Sequence, residues 1–505
     1  MPQRRQVVLI MTDSQRWDML NCYRQTGLQT PSLDRLAASG IRFDRAYTCQ
    51  PVCGPARSAL FTATYPHTNG SWGNDMPLGR NIRTVGQRLR ATSIQTAYIG
   101  KWHLDTSDYF GLGRCPDGWD DRYWYDMRNY LDELSPEDRT RSRQGKTIQD
   151  DIPDDFTFGH RCSNRAIDFL RRHEQNDFLL VVSYDEPHGP YLCPKRYWDM
   201  YADYEFPLSP NVHDTLDDKP EHIRLWARER LAGEHAGSKL INPAYFGCNT
   251  FVDYEIGRVL DAMDRHCPDA LVIYTSDHGH MEKSHRLYIK GPAMYDEITR
   301  IPLLVRWPGQ APAGTVCPHP ASHIDVTPTI LDYFGVPDPG TLQGRSMLES
   351  FRDPSVRPNE IIFMEYARYE VSQDGFGGFQ PIRCAFDGRH KLVINLLTTD
   401  ELYDLQVDPS ETTNLIDSPE HVSARNRLHD RLLEWMNTTH DPFRGYYWRM
   451  RPWRTDAIPP TSWHDDGMIR QVPREPDEPE RLDYSTGLPS MAGPKPVRPK
   501  SRPGR

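Results

Sequence analysis

Val7-Val8-Leu9-Ile10-Met11-Thr12-Asp13 is a short, unbroken apolar run that ends in a hydroxyl and a carboxylate. Apolar residues without alternation suit a strand buried on both faces. The same shape recurs at 96–101, 178–185, 270–275 and 302–305, each rich in Val, Ile, Leu or Tyr. Between these runs, 31–39, 84–91, 159–173, 249–263 and 325–334 carry helical spacing. Thr30-Pro31 makes a helix start, with Thr as N-cap and Pro at the first helical position. Alternating strands and helices predict an α/β fold with a mostly parallel central sheet flanked by helices.

The pattern changes after about Gly344. Short strands are expected at 361–366, 384–386, 391–396 and 401–405, with a turn at Asp387-Gly388 and a helix over 421–436. The chain therefore divides into a catalytic α/β domain at 1–345, a smaller α+β subdomain with an antiparallel sheet at 346–440, and an extension at 441–505. That extension is rich in aromatic residues, Arg and Pro, and from Pro473 onward it reads as irregular. Its stretch from Arg444 to Arg454 suits covering a pocket, joining subunits into a homo-oligomer, or packing on its own chain.

Composition narrows the function. A formal charge of -10 over 505 residues argues against a nucleic-acid surface. It also gives a polyanion no long-range attraction, so an anionic substrate must be met by local cations and metal. No run of about 18 apolar residues suggests a membrane span. The run after Gln6 is too short for a signal segment, so a cytoplasmic location is expected. Ten scattered cysteines fit reduced thiols rather than a disulfide framework.

The strand ends carry the chemistry. Asp13 closes the first, Lys101 and His103 follow the second, Asp185-Glu186-Pro187-His188 closes the third, and Ser276-Asp277-His278-Gly279-His280 follows the fourth. Open α/β sheets place sites beyond the carboxyl ends of strands, so these segments point to one edge. Two carboxylates from separate strands, Asp13 and Asp277, suit a hard divalent cation, with His278 as a nitrogen donor. The string around His278 would also suit zinc, but no H-E-x-x-H or paired C-x-x-C lies nearby. Lys101 and His103 face the same side of an extended segment, where a cation beside an imidazole can bind an anionic oxygen and move a proton. Each residue alone has an ordinary structural role: a turn Asp, a surface Lys, a packed His, or a buried Cys among ten. Together they describe an anion-processing site.

Cys53-Gly54-Pro55-Ala56-Arg57-Ser58, continuing to Tyr65-Pro66-His67, is the most informative run of the chain. This C-x-P-x-R run resembles the sulfatase signature, in which the Cys is oxidised to formylglycine. With M-T-D-S-Q, Y-I-G-K-W-H-L, D-E-P-H-G-P-Y, S-D-H-G-H and H-I-D-V-T-P-T-I in family order, the chain over roughly 7–415 is similar to type I sulfatases of the alkaline-phosphatase-like superfamily. It looks closest to bacterial arylsulfatase-like proteins without a signal peptide.

The resemblance implies sulfate monoester hydrolysis through a formylglycine hydrate and a sulfo-enzyme, on a small sulfated carbohydrate, with aryl sulfates as assay substrates. It implies a formylglycine-generating maturase as partner. It also implies one divalent cation, calcium before magnesium, on Asp13, Cys53, Asp277 and His278. Arg57 would hold the hydrated residue 53, and Lys101 and Lys290 would bind sulfate oxygens. His103 would take a proton when the sulfo-enzyme collapses, and His188 would protonate the leaving oxygen with Lys290 as rival donor. Asn74 would contact the transferred group. Two departures stand out. Ser14 follows Asp13 where many relatives carry a second Asp, so the further ligand could be Ser14, Gln15 or water. His278 replaces a common Asn, and an Asp-His pair also occurs in phosphonate monoester and phosphodiester hydrolases, the alternative activity. A silent binding protein that keeps the thiol is a further alternative. Residues 114–125, 365–369 and 375–379 are candidate specificity elements.

Overall fold

The computed structural model describes residues 4–79, 81–145, 152–230, 239–372, 378–457, 482–483 and 488–489. Eight strands form the main sheet: β1 (Gln6–Thr12), β2 (Ile41–Tyr47), β3 (Gln95–Gly100), β4 (Phe178–Ser183), β5 (Leu271–Ser276), β6 (Arg300–Ile301), β7 (Leu303–Arg306) and β8 (Thr315–Ser322). Their order is β3-β4-β1-β5-β7-β2-β6, with β8 also paired to β2. The half β3-β4-β1-β5 is parallel throughout, whereas β7 runs antiparallel to β5 and β2.

β1 is central and buried along its whole length. Val8 and Ile10 face one core with the helices Phe158–His173 and Pro243–His266. Val7, Leu9 and Met11 face the other, with the helices Cys53–Thr62 and Val326–Phe334. Each such side chain taken out of water stabilises the fold by roughly 1.5–3 kcal/mol. Helices on both faces explain why this strand carries no polar alternation.

The register sets the polar edge of the sheet. Met11 pairs with Ser183, Thr12 with Ser276, and Gly100 with Ser183. The residues that follow, Asp13, Lys101, Asp185 and Asp277, therefore leave the sheet side by side.

Among the elements not legible in the sequence, three build the main sheet or carry the site. β2 alternates apolar residues with Arg42, Asp44 and Arg45, and its pairing to β8 shifts register between Phe43 and Arg45. β8 contains Pro318 and Pro320, tolerable because it pairs only with β2 at the sheet margin. The helix Cys53–Thr62 is buried at every residue, so it shows no polar face and no amphipathic period.

A second, four-stranded antiparallel sheet follows: β9 (Ile362–Tyr366), β10 (Ile382–Phe386), β11 (His390–Asn395) and β12 (Glu401–Asp404), ordered β12-β11-β10-β9. One face packs on the helix Val422–Thr438 through Leu392, Ile394, Leu428 and Leu432. The other packs on Tyr47, Met281, Leu287 and Tyr295 of the main unit. Lys391 of β11 reaches Asp296 at 2.6 Å and Glu411 at 2.9 Å, a buried ionic anchor between the two units. The first part of the aromatic extension folds onto its own chain. Arg383 pairs with Asp441, and Arg451 and Trp453 both bond Asp400, while Trp448 is buried. Residues 375–377 and most of the tail after Pro473 lie outside the described residues. Among the described residues no helix is long and apolar enough to cross a membrane.

Gly100 sits at φ +126°, and a Cβ there would lie 1.9 Å from the Ser183 carbonyl oxygen. G100A should therefore cost more than about 2 kcal/mol by denaturant unfolding, since both strain and a backbone clash are introduced. It should also displace Lys101. A wild-type unfolding midpoint for G100A would contradict this packing.

Candidate active site

The helix Cys53–Thr62 presents its first residue to the sheet edge. Gly54 N donates to Asn74 Oδ1 at 2.9 Å, fixing the loop 71–76 against the helix start. Cys53 Sγ then lies 2.9 Å from Lys290 Nζ, 3.2 Å from His278 Nε2 and 3.7 Å from Asp13 Oδ1. Burial and the Asp13 charge push the thiol up, but Lys290, Lys101 and His278 together outweigh them and hold it well below its ordinary range. The position favours an anionic or strongly polarised oxygen or sulfur.

The acids are arranged around a fixed guanidinium. Arg57 Nε donates to Asp277 Oδ2 at 3.1 Å and Nη2 to Asp13 Oδ2 at 3.2 Å. Its Nη1 donates to the Lys101 carbonyl and to Ser183 Oγ. These bonds go to the acids and to strand ends, not to residue 53. Arg57 thus organises the acids. Lys101 Nζ lies 2.7 Å from Asp13 and 3.0 Å from Asp185. Asp13 stays well below the usual carboxylate range: burial raises it, but Lys101, His188, Lys290 and Arg57 prevail. Burial and the Asp13 charge push Asp277 up to about 7.

This donor set fits a divalent cation. Ligand atoms of Asp13, Cys53, Asp277 and His278 all lie within 4.8 Å of one another, and all four residues are buried. Two adjacent buried carboxylates, one with a raised affinity for protons, are what such an ion would relieve. His278 is also oriented as a ligand. Its Nδ1 is 2.8 Å from the Gly279 carbonyl, which can only accept, so the proton sits on Nδ1 and Nε2 is free to ligate. Gly279 makes this possible, because a Cβ there would meet the Glu297 carbonyl at 1.9 Å.

Ser14 and Gln15 differ in their candidacy. Ser14, at φ +62°, donates through Oγ to Asp13 Oδ1 at 2.8 Å and stays beside the site. Gln15 turns away, with Nε2 on Asn249 Oδ1 and Oε1 on Thr12 and Tyr274, so it is not placed to ligate.

His103 is buried against Cys53. Burial lowers its proton affinity, an interaction with the Cys53 thiol raises it, and Lys101 opposes protonation. Its Nδ1 has no hydrogen-bond partner among the described residues. His188 is half-buried at the mouth, with Nε2 4.0 Å from Asp13 Oδ1. All ten predicted site residues are therefore gathered at one edge.

Several neighbours carried no motif of their own. Ser183 follows from strand register once β4 is placed. Tyr109 comes from an irregular loop. Tyr369, from the stretch expected to set specificity, stands 5.8 Å by its ring centroid from Lys290 Nζ, and its carbonyl accepts from Asn74 N. The smaller unit thus completes the pocket wall. The stretch 114–125 instead runs alongside β3. Thr96 Oγ1 donates to the Gly118 carbonyl and Asp120 N to the Thr96 carbonyl at the far end of the sheet, where 115–121 line a cavity of about 460 Å³. His285 is committed to Asp214 and stacks on Tyr295, outside the site.

A parallel sheet edge bearing an acid pair, two buried lysines and a cysteine-headed helix is the site of an enzyme that its family match places in the alkaline-phosphatase-like superfamily. The Sulfatase family profile matches residues 5–336, and one described as N-sulphoglucosamine sulphohydrolase, C-terminal, matches 283–438. The chain belongs to the sulfatase family and is a sulfuric ester hydrolase. It is 45% identical over 497 residues to the uncharacterized sulfatase YidJ of Escherichia coli K12, covering 97% of this chain and 98% of that one. It is 24% identical to the N-acetylglucosamine-6-O-sulfatase of Bacteroides thetaiotaomicron, covering 86% of each. The phosphonate monoester hydrolase of Agrobacterium radiobacter shares the fold, with a TM-score of 0.72, 22% identity, and coverage of 86% of this chain and 96% of that one.

Calcium added to metal-stripped protein should raise the melting temperature, because a ligand that binds only the folded state at 100 times its Kd adds about 2.7 kcal/mol. D277N should abolish most of that rise. An equal rise in wild type and D277N, followed by calorimetry, would place the ion elsewhere.

Proposed function

We propose that this sulfatase cleaves the sulfate monoester of a small carbohydrate, with Cys53 matured to formylglycine and one divalent cation, calcium before magnesium, bound at Asp13, residue 53, Asp277 and His278. The observation that carries this reading is the meeting of Lys290, His278 and Asp13 on the residue 53 side chain, all within 3.7 Å. When bound, the cation and the aldehyde hydrate would supply charge neutralisation, a reactive hydroxyl and a second hydroxyl for turnover.

The chain's own residues do the rest. Lys290 and Lys101, both buried, present fixed positive charge to the sulfuryl oxygens. Arg57 keeps Asp13 and Asp277 at ligand spacing. His103, held neutral by burial, is suited to accept a proton from residue 53. His188, with its Nε2 toward the pocket, is suited to protonate the leaving oxygen, and Lys290 is the rival. Asn74 supports the helix start beside the transferred group. The similarity to an N-acetylglucosamine-6-O-sulfatase supports a sugar as leaving group. A cytoplasmic enzyme matured by a formylglycine-generating partner would meet imported small sugars rather than polymers.

A second reading, phosphonate monoester or phosphodiester hydrolysis, draws on the Asp277-His278 pair and the phosphonate hydrolase neighbour. Side-by-side kinetics on an aryl sulfate and an aryl phosphonate separate the two, and faster phosphonate cleavage would overturn the first.

Protein co-expressed with a maturase should show the mass change of a thiol and hydrogen replaced by a carbonyl oxygen, and should release sulfate from some member of a sulfated mono- and oligosaccharide panel. C53S should bind such esters but release at most one product per protein molecule. Steady turnover by C53S would remove the aldehyde from the mechanism. H188A should lose about 10²–10⁴-fold on poor leaving groups, and undiminished cleavage of an alkyl sulfate would clear His188 of that role.

A further inference from the structure

Tyr109 lies six residues beyond His103 in a loop that no motif marks. Its ring centroid is 4.0 Å from Lys101 Nζ and 5.3 Å from that of His103, edge to face. Its hydroxyl meets Asp185 Oδ1 and, at 3.0 Å, His188 Nδ1. One half-buried side chain thus touches four groups of the site.

Proton accounting gives these contacts a direction. Asp185 also accepts from Lys101 Nζ at 3.0 Å, and a carboxylate paired with an ammonium can only accept. Tyr109 therefore donates to Asp185 and turns a lone pair toward His188. The Gly189 carbonyl, 2.6 Å from His188 Nδ1, is likewise only an acceptor. Both fix the His188 proton on Nδ1 and leave Nε2 as the atom facing the pocket.

We propose that Tyr109 is a positioning residue for leaving-group protonation, the middle member of an Asp185–Tyr109–His188 relay that aims Nε2 of His188 at the departing oxygen. This rests on the sulfatase reading and adds to it a residue outside every motif. As the sulfur–oxygen bond breaks, its electron pair stays on the leaving oxygen, which takes the proton from His188 Nε2. The Nδ1 proton and the Tyr109 proton stay in place. The ring has a separate task, covering Lys101 with its π face.

Y109F separates the two tasks, because it keeps the ring and removes the hydroxyl. On formylglycine-verified enzyme, kcat for an alkyl sulfate should fall about tenfold or more, within the range general-acid help commands. For a nitrophenyl sulfate, whose leaving group needs no proton, kcat should change by less than about threefold. The melting temperature should stay at the wild-type value. Adding Y109F to H188A should cost nothing further on the alkyl ester, since both changes break one relay. Equal losses on both esters, no loss on either, or additive losses in the double variant would each overturn the proposal. If wild-type enzyme releases sulfate from neither ester, the sulfatase reading itself fails. If it is active and Y109F shows no selectivity, only the relay fails.

Discussion

Two carboxylates leave neighbouring strands side by side, and a buried guanidinium must hold them. Asp13 and Asp277 follow paired residues of β1 and β5, and Arg57 bonds both from a helix with no exposed residue. Buried charge is tolerated only when it is paired and hydrogen-bonded, and losing one partner of such a cluster costs about 3–5 kcal/mol. Arg57 also bonds Ser183 of β4 and the carbonyl of Lys101 after β3. One side chain therefore ties the helix that bears Cys53 to four strand ends, and the requirement to neutralise the acids builds the site.

The second sheet takes part in the same logic. It docks through an apolar face and through Lys391, whose ammonium is matched by Asp296 and Glu411. That docking brings Tyr369 against Lys290 and anchors Asn74 beside the helix start. Residues distant in sequence thus form one wall of the site.

Legibility followed the physical signal. Strands β1, β3, β4 and β5 carry unbroken apolar runs because helices cover both faces, and their polar termini mark the catalytic edge. β2 and β8 were hidden by charged residues and prolines that the sheet margin tolerates. The helix that bears Cys53 was hidden for the opposite reason: complete burial erases amphipathic periodicity. Motif residues such as Lys101, His103 and Lys290 could be named in advance. Tyr109 could not, because a tyrosine in an irregular loop has neither period nor spacing.

The sequence alone determined the fold class, the edge at which chemistry collects and the residue types gathered there, because strand periodicity and strand-end polarity are local properties. Tertiary structure decided the partners. It set Arg57 on the acids, withdrew Gln15 into the core, fixed the proton on His278 Nδ1, and set Tyr109 between Asp185 and His188. Those outcomes depend on distances between segments far apart in the chain, and only the packed register of the strands sets such distances.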